Sequence, residues 1–262
     1  MAQHYASLRA LPRRFRRDER KRDGKDADTW SNAGFDQRYG IRTSGFVDFL
    51  ELRSGRSSDA YATAYAPSGA SLVRRTLQML PVTADYTFLD LGCGEGRALV
   101  IASEFPLRAI IGVELSPALC ERAAANASII ADRFPERTPI QIVEADAGEF
   151  VLPRGPLIVY MYHPFYRPVM RRVVANLERA SAASEEVFIV YVNPVLGHLW
   201  DSSSCFTRFF AGMLRREEAD DAGGAAADEA VVIWGSRVEN AWANADRPIR
   251  VTAAGWRADT GP

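Results

Sequence analysis

The chain predicts a doubly wound α/β fold, a mostly parallel β-sheet with helices on both faces that ends in an antiparallel hairpin. Near-continuous apolar runs of strand length alternate with helix-length segments: RAIIGVEL at 108–115, IQIVEADA at 140–147, LIVYMYHP at 157–164 and EVFIVYVNP at 186–194. Strands that lack an inside–outside alternation belong to a sheet covered on both sides. The first strand ends in a glycine-rich turn that leads directly into an apolar helical segment. The last two apolar runs, CFTRFFAGML and VVIWGSRVE, are separated by EEADDAGGAAADEA. That spacer has no large apolar residues with which to build a crossover helix, so the pair reads as a hairpin.

Residues 1–30 are polar and basic, with Arg13, Arg14, Arg16, Arg17, Arg20, Lys21 and Arg22 in one block. A solvated, partly disordered arm fits such a block, and so does a contact for nucleic acid or another acidic partner. Residues 31–80 begin with an irregular mixture of aromatic and glycine residues, FDQRYGIRTSGFVDFLEL and SDAYATAYAPS, which reads as a cap rather than a sheet element. SGASLVRRTLQMLP then places Leu72, Leu77 and Leu80 near helical spacing, with a serine available as N-cap and Pro81 as a stop.

The α/β domain is expected over 81–240. Between its strands, PALCERAAANASIIADRF and YRPVMRRVVANLERA read as helices, and Pro117 suits a first turn. Residues 241–262 give weak signals and read as a loosely packed tail. No internal repeat is present.

At 262 residues with 47% hydrophobic and 25% charged residues, the composition is that of an ordinary globular protein able to bury a core. A formal net charge of −1 supplies no global field to recruit nucleic acid or an acidic membrane, which leaves the basic arm as the one route to nucleic acid. Cys93, Cys120 and Cys205 lie far apart with no C-x-x-C spacing, so neither a metal site nor a disulfide framework is expected, and a reducing cytoplasm is the expected location. No apolar run reaches the roughly 18 residues of a membrane span, and the N-terminus has no apolar leader segment.

The stretch TFLDLGCGEGR, Thr87–Arg97, carries the site. Gly92, Gly94 and Gly96 let the chain turn tightly and bring backbone N–H groups close to a ligand. The spacing G-x-G-x-G, with no following Lys-Ser/Thr, matches neither the dinucleotide fingerprint nor the P-loop. In an open α/β sheet the ligand sits beyond the carboxyl ends of the strands. The residues to examine are therefore Asp90 and the glycines after the first strand, Glu114 after the second, Asp146 after the third, and Tyr162, His163 and Pro164 after the fourth. Glu114, about twenty residues past the glycines, is placed to accept both hydroxyls of a ribose; a carboxylate at a helix start is the structural alternative.

With its acid two positions before the first glycine, DLGCGEG resembles motif I of the class I S-adenosylmethionine-dependent methyltransferases. FDQRYGIRTSG and YMYHPF are similar to segments of an uncharacterised bacterial group within that family, and more distantly to its seven-strand protein-lysine methyltransferases. The resemblance covers residues 65–237. It implies a seven-stranded sheet of order 3-2-1-4-5-7-6 and S-adenosylmethionine as cofactor. Asp90, Gly92, Cys93, Gly94 and Gly96 would lie against its methionine portion, Glu114 with Leu115 at the ribose, and Asp146 with Ala147 at the adenine. In several branches a Tyr-x-Pro segment folds over the cofactor, and Tyr65 in YAPS matches it; an aromatic face suits a sulfonium. Packing within the cap fits Tyr65 and Tyr61 as well.

The implied activity is methyl transfer to an N or O nucleophile. A non-catalytic S-adenosylmethionine-binding protein and a nicotinamide-dependent oxidoreductase are the alternatives. Family members acting on DNA bases or glutamine carry Asp or Asn, then Pro-Pro and an aromatic, at the fourth strand's end. Here the segment is His163-Pro164-Phe165-Tyr166, so that substrate class does not carry over. His163, with Tyr162 beside it, is the candidate catalytic group, as general base or as an orienting hydrogen bonder. Tyr191 and Asn193 at the end of the fifth strand line the acceptor pocket or cap the turn at Pro194.

Overall fold

The computed structural model describes residues 33–183, 186–215, 228–238, 241–242, 245–246, 250–251 and 258–259. The basic arm of residues 1–30 and most of the acidic stretch after the sixth strand lie outside the described residues.

A short helix α1 (Ala33–Tyr39), a 3-10 helix (Ser57–Tyr61) and helix α2 (Ala70–Gln78) precede the sheet. The sheet then follows as β1 (Thr87–Leu91), α3 (Arg97–Ala102), β2 (Ala109–Glu114), α4 (Pro117–Arg133), β3 (Ile140–Glu144), β4 (Leu157–Tyr162), α5 (Arg167–Ala182), β5 (Val187–Val192), α6 (His198–Asp201), β6 (Thr207–Arg215) and β7 (Asp228–Gly235). Its order is β3-β2-β1-β4-β5-β7-β6. β1, β2, β3, β4 and β5 run parallel, and β7 and β6 run antiparallel at one side. This is the order implied by the motif.

Side-chain alternation along each strand divides the core in two. Phe88, Ile158 and Phe188 stand in register on one face and pack with Leu72, Leu77 and Leu99 from α2 and α3. Leu89, Val159 and Ile189 stand in register on the other, with Met170, Val173 and Leu177 from α5 and Trp200 from α6. With both faces covered, all five residues of β1 are buried, which is why its sequence shows no alternation.

One expectation needs correction. Helix α2 has Gly69 at its N-cap with no side-chain cap, because the chain enters it in extended conformation one residue after Ser68. Beyond the sheet, the Trp242 amide donates to the Phe209 carbonyl at 2.9 Å, its ring meets Phe210 edge-on, and β8 (Arg250–Val251) pairs with β9 (Ala258–Asp259).

Candidate functional site

The carboxyl ends of β1, β2, β3 and β4 open into a cavity whose empty space, open mouth included, is about 920 Å³. The segment Ala62–Ser68 forms the opposite wall. The glycine turn is built for close approach. Gly94 has φ +56°, and a Cβ there would stand 2.2 Å from the Tyr65 ring; Gly92 has φ +83°, and a Cβ there would stand 2.3 Å from Pro164. Only glycine meets both demands. Cys93 also lines the cavity, whereas Gly96 stands behind it as the N-cap of α3. Tyr65 lies across the turn, and its hydroxyl donates to the Thr43 carbonyl at 2.7 Å.

The strand-end acids differ in what holds them. Glu114 accepts from three backbone amides, Gly94 at 2.9 Å, Leu115 at 2.8 Å and Ser116 at 2.9 Å, which fixes the glycine turn against β2. Burial raises its pKa and those three donors oppose the rise. Its place at the helix start is thus occupied, while the carboxylate still lines the cavity with Leu115. Asp146 accepts from the Gly148 amide at 2.8 Å and pairs with Arg172 of α5 at 2.8 Å, and the Ser58 hydroxyl bonds the same oxygen. Ala147 lies beside it on the wall. Asp90 is fully enclosed, and burial first, then the nearby Glu114 charge, raises its pKa well above the usual carboxylate range.

At the end of β4, Tyr162, Pro164 and Phe165 line the cavity. The His163 ring turns toward β5 instead, where Nδ1 lies 2.8 Å from the Tyr191 hydroxyl. Burial lowers its pKa to about 4, so the imidazole is neutral at pH 7 and a weak base. His163 and Asn193 both have positive φ, +37° and +51°. They follow the paired residues Tyr162 and Val192, and so lie side by side on adjacent strand ends. Strained backbone of this kind concentrates at functional sites. Both polar side-chain atoms of Asn193 are buried without a partner among the described residues.

No protein-family model matches the chain. Among curated proteins it is similar to a protein-lysine N-methyltransferase of Saccharolobus islandicus, 36% identical over 63 residues, which are 24% of this chain and 39% of the relative. It is also similar to a trans-aconitate 2-methyltransferase of Methylobacterium radiotolerans, 34% identical over 85 residues, 32% of this chain and 29% of that one. The matched stretches therefore span two fifths or less of those relatives. Solved structures that overlap it include a precorrin-6y C5,15-methyltransferase from Geobacter metallireducens, with 13% identity, a TM-score of 0.46 and coverage of 63% of this chain and 87% of that one. A TehB-like SAM-dependent methyltransferase from Corynebacterium glutamicum overlaps at 18% identity and a TM-score of 0.40, covering 62% and 85%. The strand order and the terminal antiparallel pair decide the fold class on their own. The sheet has the strand order that the resemblance to the class I methyltransferases implied.

Within this fold, Arg97, Ser58 and Ser116 are polar residues on the cavity that went unread in the sequence. Arg97, first in α3, is buried on the wall and held by the Thr43 hydroxyl at 2.8 Å and the Ser44 hydroxyl at 3.1 Å, with Asp36 at 3.6 Å. Its signal was available: a cation directly after a glycine turn, where a ligand's anionic end is expected. Ser58 and Ser116 also line the cavity. Ser58 is brought there by the fold of the cap, which no local pattern announces.

Proposed function

We propose that the protein transfers a methyl group from S-adenosylmethionine to an N or O nucleophile. The observation that carries this reading is the glycine turn at Gly92–Gly94, closed over by Tyr65 and facing a cavity with carboxylates at the ends of β1, β2 and β3. The residues present fit the cofactor. The Ser116 hydroxyl is buried on the wall without a partner among the described residues, and the Arg97 guanidinium reaches the same space. Glu114 would hold the ribose through the lone pairs its backbone donors leave, and Asp146 with Ala147 would border the adenine. Arg97 would take the amino-acid carboxylate, and Asp90, Cys93 and Tyr65 would flank the sulfonium end.

When bound, S-adenosylmethionine supplies an electrophilic methyl group. The chain's part is to hold the acceptor in line with it and to exclude water. The acceptor is a protein side chain or a small molecule, the two kinds of substrate named for the curated relatives. The basic arm is the proposed contact for any nucleic-acid partner, and the cytoplasm the proposed location. No helix among the described residues is long and apolar enough to cross a membrane, and no group of three or more metal-ligand side chains occurs among them.

Calorimetry with S-adenosylmethionine, S-adenosylhomocysteine and NADH tests the cofactor assignment; binding of NADH alone would end it. Formation of S-adenosylhomocysteine with labelled cofactor over protein, nucleic-acid and small-molecule fractions separates an enzyme from a binding protein.

A further inference from the structure

We infer that Thr43 is a positioning residue that makes the cavity selective for a ligand ending in a carboxylate, by holding both Arg97 and Tyr65 from one buried point. This rests on the methyl-transfer reading above, in which the cofactor's amino-acid end carries that carboxylate. Thr43 is fully enclosed, whereas the two side chains it holds lie on the cavity wall. Its own place is set from two helices. Asp36 of α1 accepts from the Thr43 amide at 2.9 Å and from the Thr43 hydroxyl at 2.7 Å. Asn126 of α4 clamps the preceding residue, accepting from the Arg42 amide at 3.0 Å and donating to the Arg42 carbonyl at 2.8 Å. The same side chain donates to the Glu95 carbonyl in the glycine turn at 2.9 Å. Hydrogen bonds therefore fix the spacing between this part of the cap and the turn.

The direction of each bond at Thr43 follows from what the partners can do. A hydroxyl has one hydrogen to donate and lone pairs with which to accept. Its hydrogen goes to the Asp36 carboxylate, and it accepts from the Arg97 Nε–H at 2.8 Å. Guanidinium, hydroxyl and carboxylate thus form a chain polarised in one sense, and such chains strengthen their members. The Ser44 hydroxyl takes a second guanidinium nitrogen at 3.1 Å, and the guanidinium carbon stands 5.1 Å from the centre of the Phe35 ring. These contacts fix the plane of the group as well as its place.

The countercharge behind Arg97 is partial. Asp36 lies 3.6 Å from the guanidinium, and its oxygens are shared with the Thr43 and Ser44 amides and the Thr43 hydroxyl. A buried cation whose neighbouring acid is so engaged favours an anion on its cavity side, and a carboxylate matches the donor fork of arginine. The Thr43 carbonyl meanwhile accepts from the Tyr65 hydroxyl at 2.7 Å, with the Tyr65 ring laid against Gly94. The cation and the ring that flank the glycine turn share one support. A ligand without an anionic end would meet the ring and the turn but gain nothing from the cation.

Calorimetry on the full chain with S-adenosylhomocysteine and 5′-methylthioadenosine tests this, because the second has the same adenosine and thioether but no amino-acid end. The wild-type protein should prefer S-adenosylhomocysteine by at least about 10-fold. Thr43→Val keeps the branched shape without the hydroxyl; it should weaken S-adenosylhomocysteine about 10–100-fold, the size of a hydrogen bond to a charged group, and leave 5′-methylthioadenosine unchanged. Thr43→Ser should retain the preference. In Arg97→Met the preference should be gone, and adding Thr43→Val should remove nothing more. Equal losses for both ligands in Thr43→Val, an unchanged preference, or additivity with Arg97→Met overturns the inference. If Thr43→Val does not fold, Ser44→Ala carries the test: a loss confined to S-adenosylhomocysteine supports the inference, and equal or absent losses overturn it. Equal binding of the two ligands by the wild type overturns the inference alone. Absence of binding to S-adenosylmethionine and S-adenosylhomocysteine overturns the methyl-transfer reading and the inference with it.

Discussion

Asp90, one residue before the end of β1, lines the cavity, where burial first and then the nearby Glu114 charge disfavour its ionised form. Its folded pKa lies above the unfolded value of about 3.9, so the folded chain keeps a proton that the unfolded chain releases as pH rises. By linkage, stability falls from the unfolded pKa upward and the penalty is complete above the folded one; below the unfolded value both states hold the proton and nothing is lost. Asp90→Asn is accordingly expected to raise the melting temperature at pH 7, with a gain that disappears toward pH 3. Melting curves of both proteins across that range decide it, and a gain independent of pH would assign the effect to something other than ionisation. A bound sulfonium reverses the preference, since a neighbouring cation favours the carboxylate. Beside it, Gly94→Val places a branched side chain at φ +56° against the Tyr65 ring. At least a 10²-fold loss of S-adenosylhomocysteine affinity is expected, from backbone and ring displacement together. Calorimetry on the folded variant measures it, and wild-type affinity would remove Gly94 from the cofactor cradle.

At the scale of elements, the segment from the 3-10 helix to Tyr65 acts as a strap over the cavity, tied at both ends. The Tyr166 amide donates to the Tyr61 carbonyl at 2.8 Å and the Thr63 amide to the Pro164 carbonyl at 3.1 Å, so the strap is joined to the β4–α5 turn. Its other end is held by the contact of Ser58 with Asp146, and Arg172 bonds both. Arg172 is 41% exposed, so its ion pair is screened and contributes modestly, but Asp146 is 3% exposed and suffers when the cation is removed. Arg172→Met is expected to cost about 1–2 kcal/mol and to quicken hydrogen exchange over Ser57–Tyr61 while β1 stays protected. Equal acceleration in both would show that the strap has no independent opening. The strands and helices were legible in the sequence because burial on both faces writes itself as unbroken apolar runs, as in LIVYMYHP. The positions of Glu114 and Asp146 were legible by the same logic, since a parallel sheet presents its strand ends at one edge. Their partners were not. Arg172 and Ser58 lie 26 and 88 residues from Asp146, and Thr43 lies 54 from Arg97. The direction of His163 was hidden too, because a positive φ at the strand end turns the ring toward β5 and no composition rule signals that for histidine.

Across the whole molecule, one row of side chains runs through the sheet in register, Leu89 on β1, Val159 on β4, Ile189 on β5 and Trp234 on β7. The row links the cofactor edge to the antiparallel pair. Trp234 is fully buried against Trp200 of α6, with ring centroids 6.3 Å apart, and its indole N–H donates to Asp201 at 3.0 Å. Arg208 of β6 grips the same carboxylate through two nitrogens at 2.7 and 2.5 Å. The hairpin is thereby packed onto the parallel part of the sheet through an apolar contact with a polar clasp at its rim. Removing a buried indole costs about 3–5 kcal/mol, so Trp234→Ala should lower stability by that order. Because the row is continuous, the loss should be felt by the sheet as a unit, and far-UV circular dichroism and the near-UV signal of the buried tryptophans should report one coincident thermal transition in both proteins. If the near-UV signal of the variant melts first while the far-UV signal keeps the wild-type midpoint, the hairpin is a separate unit. In that case the row does not couple it to the strand ends that carry the site.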